Sequence, residues 1–587
     1  SRNIVPLART QAPTGFDRFI VKYRDGSTAR RSTTAVTDLA NAALRSARVP
    51  GAMTSANGAR ATLSMKHVRK TAVGADLVRA SRRLNATESA AFLKQLRSDP
   101  SVLYAQPDFM KQRLETIPDD TYFGQLQWDY TDPTGGINAT TAWDTSKGEG
   151  VVVAVLDTGH VDHPDLDGNI VPGYDFISYY GQTTEEGLYP DVAGDGDGRD
   201  ADAHDPGDWT DTSMSSWCGR ISNSSWHGTH VAGTVAAVGN NASGIAGVAY
   251  QAKVQPVRVL GHCGGLTSDI ADAIIWASGG EVPGVPMNET PAEVLNLSLG
   301  GGGSCYDDPM TQEAIDGAIS RGVTVVVAAG NDSDNAANHS PASCKGVITV
   351  GATGIDGGKS WFSNYGASVT LSAPGGNATS GSDPDDRWIW STGDVGATTP
   401  EGPGLIGMIG TSQASPHVAG VIALMQSAAV AAGKPVLTPA QVKNILRGTA
   451  RSFPIAPPMS TPMGAGIVDA AAATLAATQD VGDETAEPLT NRLALPGQTG
   501  AAGDELLYSI EVPAGTRSLN LRSYGGSGNV SLYVAYDYIP TAALHDRKSA
   551  RPGNSEAVVI TNPAAGTYYL RMVGEQAFTN VSVMALY

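Results

Sequence analysis

The sequence predicts an α/β protein built on a parallel sheet with helices on both faces, with a small α+β segment before it and an all-β segment after it. Three observations carry this prediction. First, the apolar runs Val151–Leu156, Lys253–Leu260, Val294–Leu299, Val323–Ala328 and Val347–Val350 are interspersed with helical patterns near 228–237, 268–278 and 309–321, with a further one near 412–430. Continuous apolar strands separated by helices imply a sheet buried on both faces. Second, residues 492–587 carry short alternating runs broken by Gly, Pro and Asn, the pattern of a small all-β domain. Third, the charge changes sign along the chain. Residues 1–113 hold 20 Lys and Arg against 7 Asp and Glu, whereas 114–587 hold 20 against 51.

Taken in order, the basic block has strand-like runs at 19–24 and 102–106 with helical patterns at 33–47 and 87–98 between them. Its charges are scattered among apolar stretches such as Phe19–Tyr23, which reads as a folded accessory domain rather than a nucleic-acid arm. The acidic body argues against a nucleic-acid partner and for solubility or cation binding. Polar, acidic residues 479–491 read as a linker, so the expected division is 1–113, 114–478, linker and 492–587. The runs Leu507–Val512, Ser518–Arg522, Val530–Ala535, Ala557–Ile560 and Thr567–Val573 are the expected strands of the last domain. No run of 18 uninterrupted apolar residues occurs, which argues against a membrane-spanning helix, and no charged-then-apolar leader follows Ser1. Any export signal is expected to have been removed already or never to have existed. Cys218, Cys263, Cys305 and Cys344 form no C-x-x-C pair, so disulfides in an oxidising compartment fit better than zinc. Of three possible pairings, the sequential one, Cys218 with Cys263 and Cys305 with Cys344, is expected because it staples two local loops.

Three segments carry chemistry. Asp157 ends the first buried strand, in Val-Leu-Asp-Thr-Gly, where an open α/β sheet lines its ligand crevice. Alone, such an Asp is ordinarily a turn or cap residue. His227-Gly228-Thr229-His230-Val231-Ala232-Gly233 opens a helix whose small residues permit close packing, and either histidine alone reads equally as a satisfied core residue. Gly410-Thr411-Ser412-Gln413-Ala414-Ser415-Pro416-His417 opens an Ala- and Val-rich helix. A serine there is usually a cap, but the helix N-terminus also stabilises negative charge developing beside its oxygen. A serine hydroxyl becomes a nucleophile when a base takes its proton, and the base needs an acid to orient it. Jointly, the three segments meet that need.

At these motifs the chain resembles the subtilisin-like serine proteases, the subtilases, across roughly 115–478; Asp, His, Ser is the order in which subtilisin carries its triad. The resemblance implies a three-layer subtilisin-like catalytic domain in which Asp157 orients, His227 is the base and Ser412 the nucleophile. It makes His230 and His417 helix-packing residues and His163 a surface-turn residue. Asn331, in Ala328-Ala329-Gly330-Asn331, would complete the oxyanion hole, although a lone Asn after Gly is ordinarily a turn residue. Ser298-Leu299-Gly300 and Ala328-Ala329-Gly330 would hold an extended polypeptide substrate as an added strand. Asp332 beside them would favour basic residues, unless it is merely solvated. The implied function is a secreted serine endopeptidase acting through an acyl-enzyme and made as a zymogen. Where many subtilases have methionine after the nucleophile, this chain has Gln413.

Calcium is the expected cofactor. Asp195, Asp197, Asp200, Asp202 and Asp205, spaced by glycines, suit a hard cation with oxygen ligands, against the alternative of a solvated acidic loop. Arg199 in the loop and the lack of a closing glutamate exclude an EF-hand. A second site comes from the resemblance alone: Asp120, Asp165 and the loop residues Val238, Asn241, Ser243 and Ile245.

Residues 1–113 resemble the subtilase propeptide, a ferredoxin-like α+β domain that assists folding and inhibits, with Val102–Asp108 as its tail and cleavage expected between Met110 and Pro118. Residues 492–587 resemble the bacterial pre-peptidase C-terminal domain, through Gly525–Gly528, Leu532–Val534 and Gly566–Tyr569. Ser531 stands where that domain commonly has Asp. A monomer without nucleic-acid or membrane partners is expected. A binding or adhesion protein on the same folds is the competing reading, and intact Asp157, His227, Asn331 and Ser412 speak against it. An esterase is disfavoured because no G-x-S-x-G surrounds Ser412.

Overall fold

The computed structural model describes residues 15–52, 62–108, 117–181, 183–184, 187–188, 190–214, 218–479, 486–542 and 545–587. The chain forms two compact units, Ser1–Leu114 and Glu115–Tyr587.

In the first unit, β1 (Gly15–Tyr23), α1 (Thr33–Ser46), β2 (Met65–Lys70), β3 (Asp76–Asn85), α2 (Ala86–Ser98) and β4 (Val102–Pro107) follow in βαββαβ order. The sheet order β2-β3-β1-β4, antiparallel throughout, is the ferredoxin-like arrangement. Its core includes Phe19, Val36, Leu44, Val78, Phe92 and Leu96. Asn85 and Glu88 form a reciprocal capping box that starts α2. The expected tail Val102–Asp108 is strand as far as Pro107 and pairs at the sheet edge, and Asp108 forms an ion pair with Arg18 at 2.9 Å. The expected cleavage segment lies largely outside the described residues.

The second unit is built on a seven-stranded sheet whose strands are β5 (Val152–Asp157), β6 (Tyr174–Asp175), β7 (Lys253–Arg258), β8 (Val294–Leu297), β9 (Thr324–Ala328), β10 (Ile348–Thr353) and β11 (Leu371–Pro374). All pair in parallel, in the order β11-β10-β9-β8-β5-β7-β6. One face packs on α3 (His227–Ala236) and the long α6 (Thr411–Ala431), around Val231, Val235, Val418, Ile422 and Trp143. The other packs on α4 (Thr267–Ala277) and α5 (Pro309–Ser320), around Leu156, Ile274, Leu297 and Ile315. This is the expected three-layer fold. The α6 segment is long and apolar enough to cross a bilayer, yet 83% of its most apolar stretch is buried against the sheet, so its composition is that of a core helix.

The paired cysteines are Cys218 with Cys263 and Cys305 with Cys344, the sequential pairing. After α7 (Pro439–Thr449) and α8 (Ala470–Ala477), strands at 495–500, 505–512, 518–524, 527–536, 556–561 and 566–586 form the all-β region. The strand at 566–586 is long enough to join two sheets. Residues 566–573 pair with 505–512, and 582–586 pair with 520–524. Side chains of α7 meet this region. Lys443 forms an ion pair with Asp537, Asn444 Oδ1 accepts the Ile539 N–H at 3.1 Å, and the Arg447 guanidinium lies 3.7 Å from the Tyr538 ring centre. Ser531 is buried and donates to Glu575 Oε1 at 2.7 Å.

Candidate active site

Asp157 sits at the carboxyl end of β5, in the middle of the sheet and with no exposed surface. Its Oδ1 accepts the Thr158 N–H at 2.8 Å, and its two oxygens lie 2.7 and 2.9 Å from His227 Nδ1. His227 is the first residue of α3. The turn into that helix is made by Trp226 in the left-handed region, φ +54°, a costly conformation for a bulky residue. Its buried indole N–H, donating to the Gly396 carbonyl at 2.8 Å, holds the turn in place. The small residues of α3 are needed where expected: a methyl group on Gly228 would lie 2.2 Å from the Gly159 carbonyl oxygen, and one on Gly233 2.1 Å from Thr392 Oγ1.

Behind the acid stands a second carboxylate. Buried Asp205 accepts the Thr158 hydroxyl at 2.7 Å, and Thr158 Oγ1 accepts the Gly228 N–H at 3.0 Å, so one side chain from the acidic loop ties the Asp157 strand to the His227 helix. Burial disfavours a charged His227. The Asp157 carboxylate, with Asp208 and Asp205 farther back, outweighs burial and holds the imidazole above the usual histidine value. His230 behaves oppositely. Burial, then repulsion from His227, pushes it down to about 3, and its Nε2 lies 3.1 Å from the carbonyls of both Ile389 and Ile406. His417 is buried against Asp129 at 2.7 Å. His163 differs from expectation. It is buried, not on a surface turn, because its Nδ1 accepts the Asp165 N–H at 3.1 Å and its Nε2 faces the Gly404 carbonyl at 3.2 Å.

Ser412 is the second residue of α6. Its hydroxyl donates to the Ser298 carbonyl at 3.1 Å. Asn331 follows β9, and its Oδ1 accepts both the N–H and the hydroxyl of Thr411, at 2.8 and 3.0 Å, which turns the amide nitrogen away from those donors. A methyl group on Gly410 would lie 3.5 Å from Asn331 Nδ2 and 3.6 Å from the Ser412 backbone nitrogen. The Asn331 amide nitrogen and the Ser412 N–H therefore lie near the same point beside the serine, with Gln413 Oε1 closer to it at 2.8 Å. The same space adjoins a cleft of about 990 Å³ lined by Ser298, Leu299, Gly300, Ala328, Ala329, Gly330, Asn331 and Ser412. Asp332 also lines it, with its carboxylate 3.6 Å from His339 Nδ1.

The chain matches the subtilase family model over residues 148–489 and the bacterial pre-peptidase C-terminal domain over 504–574. The chain belongs to the subtilase family. It is 46% identical to an extracellular protease of Xanthomonas campestris over 97% of this chain and 92% of that one. It is 38% identical to an extracellular basic protease of Dichelobacter nodosus, over 90% and 82% respectively. Among solved structures, a protease of Pseudoalteromonas arctica is 52% identical, with a TM-score of 0.55, over 62% of this chain and all of that one. This subtilase is a serine endopeptidase, and its substrates are polypeptides.

Subtilases generally bind calcium, and the residues around Asp120 suit it. Asp120 Oδ1 is buried with no hydrogen-bond partner, which is the state of an oxygen that needs a cation. Its carboxyl is raised by burial, with the nearby Asp165 charge adding to the shift. Asp165 accepts from Asn241 Nδ2 and from the Ile245 N–H, both at 2.8 Å, so the loop 238–245 already wraps these two carboxylates. The five acidic-loop residues are more dispersed. Asp195 pairs with the buried Arg258 at 2.6 Å, Asp202 with His204 at 2.5 Å, and Asp205 takes the Thr158 hydroxyl. The Asp200 charge raises the exposed Asp197 carboxyl above its ordinary value. Arg199, in place of a ligand, fastens the loop to α4 through Asp269 at 2.5 Å and Asp272 at 2.7 Å.

Proposed function

We propose that Asp157, His227 and Ser412 form the catalytic triad of this endopeptidase, with Asn331 Nδ2 and the Ser412 N–H as the oxyanion hole. The assignment rests on one arrangement: Asp157 holds His227 Nδ1 at 2.7 Å at the start of one helix, while Ser412, at the start of another, borders the cleft together with Asn331. Ser412 Oγ attacks the scissile carbonyl carbon while His227 Nε2 takes the hydroxyl proton. The carbonyl electrons move onto oxygen, between the two donors. Collapse expels the amine, which takes the proton from His227 and leaves an ester on Ser412. Water, deprotonated by His227, then releases the acid and restores the serine. Asp157 keeps the imidazole in its Nδ1–H tautomer and stabilises its charged form. Ser298–Gly300 and Ala328–Gly330 supply backbone groups for an extended substrate strand.

The wider assignment follows the family. The enzyme is extracellular, in keeping with the names of its relatives, and residues 1–113 act as folding aid and inhibitor, released by cleavage between Met110 and Pro118. Calcium is held by Asp120 and Asp165 with Asn241 and the carbonyls of Val238, Ser243 and Ile245, and a further ion by the acidic loop at Asp197 and Asp200. When bound, calcium neutralises these carboxylates and fixes the loops that carry them. An organophosphate serine reagent tests the assignment: stoichiometric labelling and loss of caseinolysis are expected in the mature enzyme, and no labelling in Ser412→Ala. Undiminished labelling of Ser412→Ala would overturn it.

A further inference from the structure

Three side chains outside the proposed active site converge on the surface near the end of β5. One nitrogen each from His160 and His204 and one carboxylate oxygen of Asp162 lie within 4.8 Å of one another. We propose that these residues bind one borderline transition cation of the zinc class through two imidazole nitrogens and a carboxylate.

The backbone already brings the two strands of this site together. His160 N–H donates to the Ala203 carbonyl at 3.2 Å, and Asp205 N–H donates to the His160 carbonyl at 2.8 Å, so residues 160 and 204 are paired. The two rings stack with centres 4.4 Å apart and planes 27° apart. Two imidazolium ions would repel at that distance, so at least one ring is neutral, as a metal ligand must be. His160 meets that requirement. It is 8% exposed, its Nδ1 lies 3.3 Å from the Ala203 carbonyl, and its Nε2 makes no hydrogen bond among the described residues. A buried imidazole whose outer nitrogen has a free lone pair is what a cation of this kind completes.

His204 is arranged in the complementary way. Its Nδ1 lies 2.5 Å from Asp202 Oδ1 and its Nε2 3.3 Å from Asp162 Oδ1. A carboxylate behind one nitrogen orients the ring and raises the basicity of the other, the usual outer support of a metal-bound histidine. Without metal the same contacts suit a protonated His204 between two carboxylates. Binding therefore displaces a proton from Nε2 and puts the cation between it and Asp162. Three protein ligands leave a position for water. Calcium, which takes oxygen ligands, does not compete for two imidazoles.

The chain offers a direct test. Full-length Ser412→Ala protein, which does not digest itself, is titrated calorimetrically with zinc chloride in excess calcium, and cobalt absorption is recorded in parallel. The expected result is one high-affinity zinc per chain, a cobalt spectrum of tetrahedral intensity, and release of about one proton at a pH where His204 is charged. The two exposed ligands allow variants that leave the core untouched. In the same background, His204→Ala should weaken this binding at least about 10-fold and Asp162→Asn measurably. The outer-support variant Asp202→Asn should cost about 10–100-fold. Zinc raising the melting temperature of the parent but not of His204→Ala would support the site. Equal zinc affinity in parent and His204→Ala, or no stoichiometric binding by the parent, overturns the proposal.

Discussion

The Ser298 hydroxyl donates to the Ser412 carbonyl at 2.7 Å, in the place that a helix would give to the amide of residue 416. Residue 416 is Pro416, inside α6, and proline has no N–H to offer. The Ser412 carbonyl is thus left open by its helix and closed by Ser298, which follows a strand end and lines the cleft. Ser298 is held in turn by the Asn296 amide at 2.9 Å, and Asn296 by Ser415 at 2.7 Å. Removing the hydroxyl in Ser298→Ala strands a buried acceptor and should cost about 1–3 kcal/mol of stability, with a fall in kcat. In a Pro416→Ala background the amide returns, so the same substitution should cost clearly less. Denaturant unfolding of the four proteins measures the coupling, and equal costs in both backgrounds would refute the relationship.

Asn331 holds Thr411 with its oxygen and points its nitrogen toward the space beside Gly410. Asn331→Leu should lower kcat about 10²–10³-fold with KM little changed, because the lost donor acts on the transition state. Steady-state kinetics on a peptide anilide decide this, and a change confined to KM would reassign Asn331 to ground-state binding.

The pH profile follows from the charges around His227. As the proposed base it works when neutral, so activity should rise as pH passes through its pKa, and Asp157, Asp208 and Asp205 hold that pKa above the ordinary value. Asp208→Asn removes one negative charge, lowers the His227 pKa and should move the acidic limb of kcat/KM to lower pH. Activity on casein should hold from neutral into alkaline pH. A limb that stays in place or moves upward in the variant would contradict this reading.

Gln413 is buried beside the proposed oxyanion hole, with its Oε1 2.8 Å from where a methyl on Gly410 would stand and its Nε2 3.6 Å from Met408 Sδ. An amide there resists peroxide, whereas a thioether would become a sulfoxide in contact with the reacting atoms. The parent should retain most activity under peroxide conditions that inactivate Gln413→Met several-fold. Rapid loss in the parent, reversed by a methionine sulfoxide reductase, would refute this.

Legibility in the sequence tracked how local each signal was. The strands at Val152–Asp157, Val294–Leu297 and Thr324–Ala328 announce themselves because both faces are buried and every position but Asp157, Asn296 and Thr324 is apolar. The edge strands Tyr174–Asp175 and Leu371–Pro374 are too short to stand out, and Met65–Lys70 is masked by its exposed lysines and arginine. Asp157, His227, Ser412 and Asn331, the proposed site, lie in contiguous motifs and are nameable from the sequence for that reason. Asp205 on Thr158 and Ser298 on Ser412 were not, because the partners are 47 and 114 residues apart and only the folded sheet joins them. The Thr158 hydroxyl, adjacent to a candidate acid and facing a buried strand end, was the one local hint that a second carboxylate was needed.

The two disulfides have a bearing on where this enzyme can be selective. Cys263 adjoins Gly264 and Gly265, and Cys305 follows Gly300–Ser304; both stretches form rims of the cleft. Glycine-rich backbone carries little shape of its own, so each rim takes its shape from the cross-link beside it. Asp157, His227 and Ser412 are anchored by the sheet and helices and not by sulfur. On the proposed assignment, reduction would leave Asp157, His227 and Ser412 in place and loosen both rims, so oxidation of the chain would bear on which substrates are cut rather than on the chemistry.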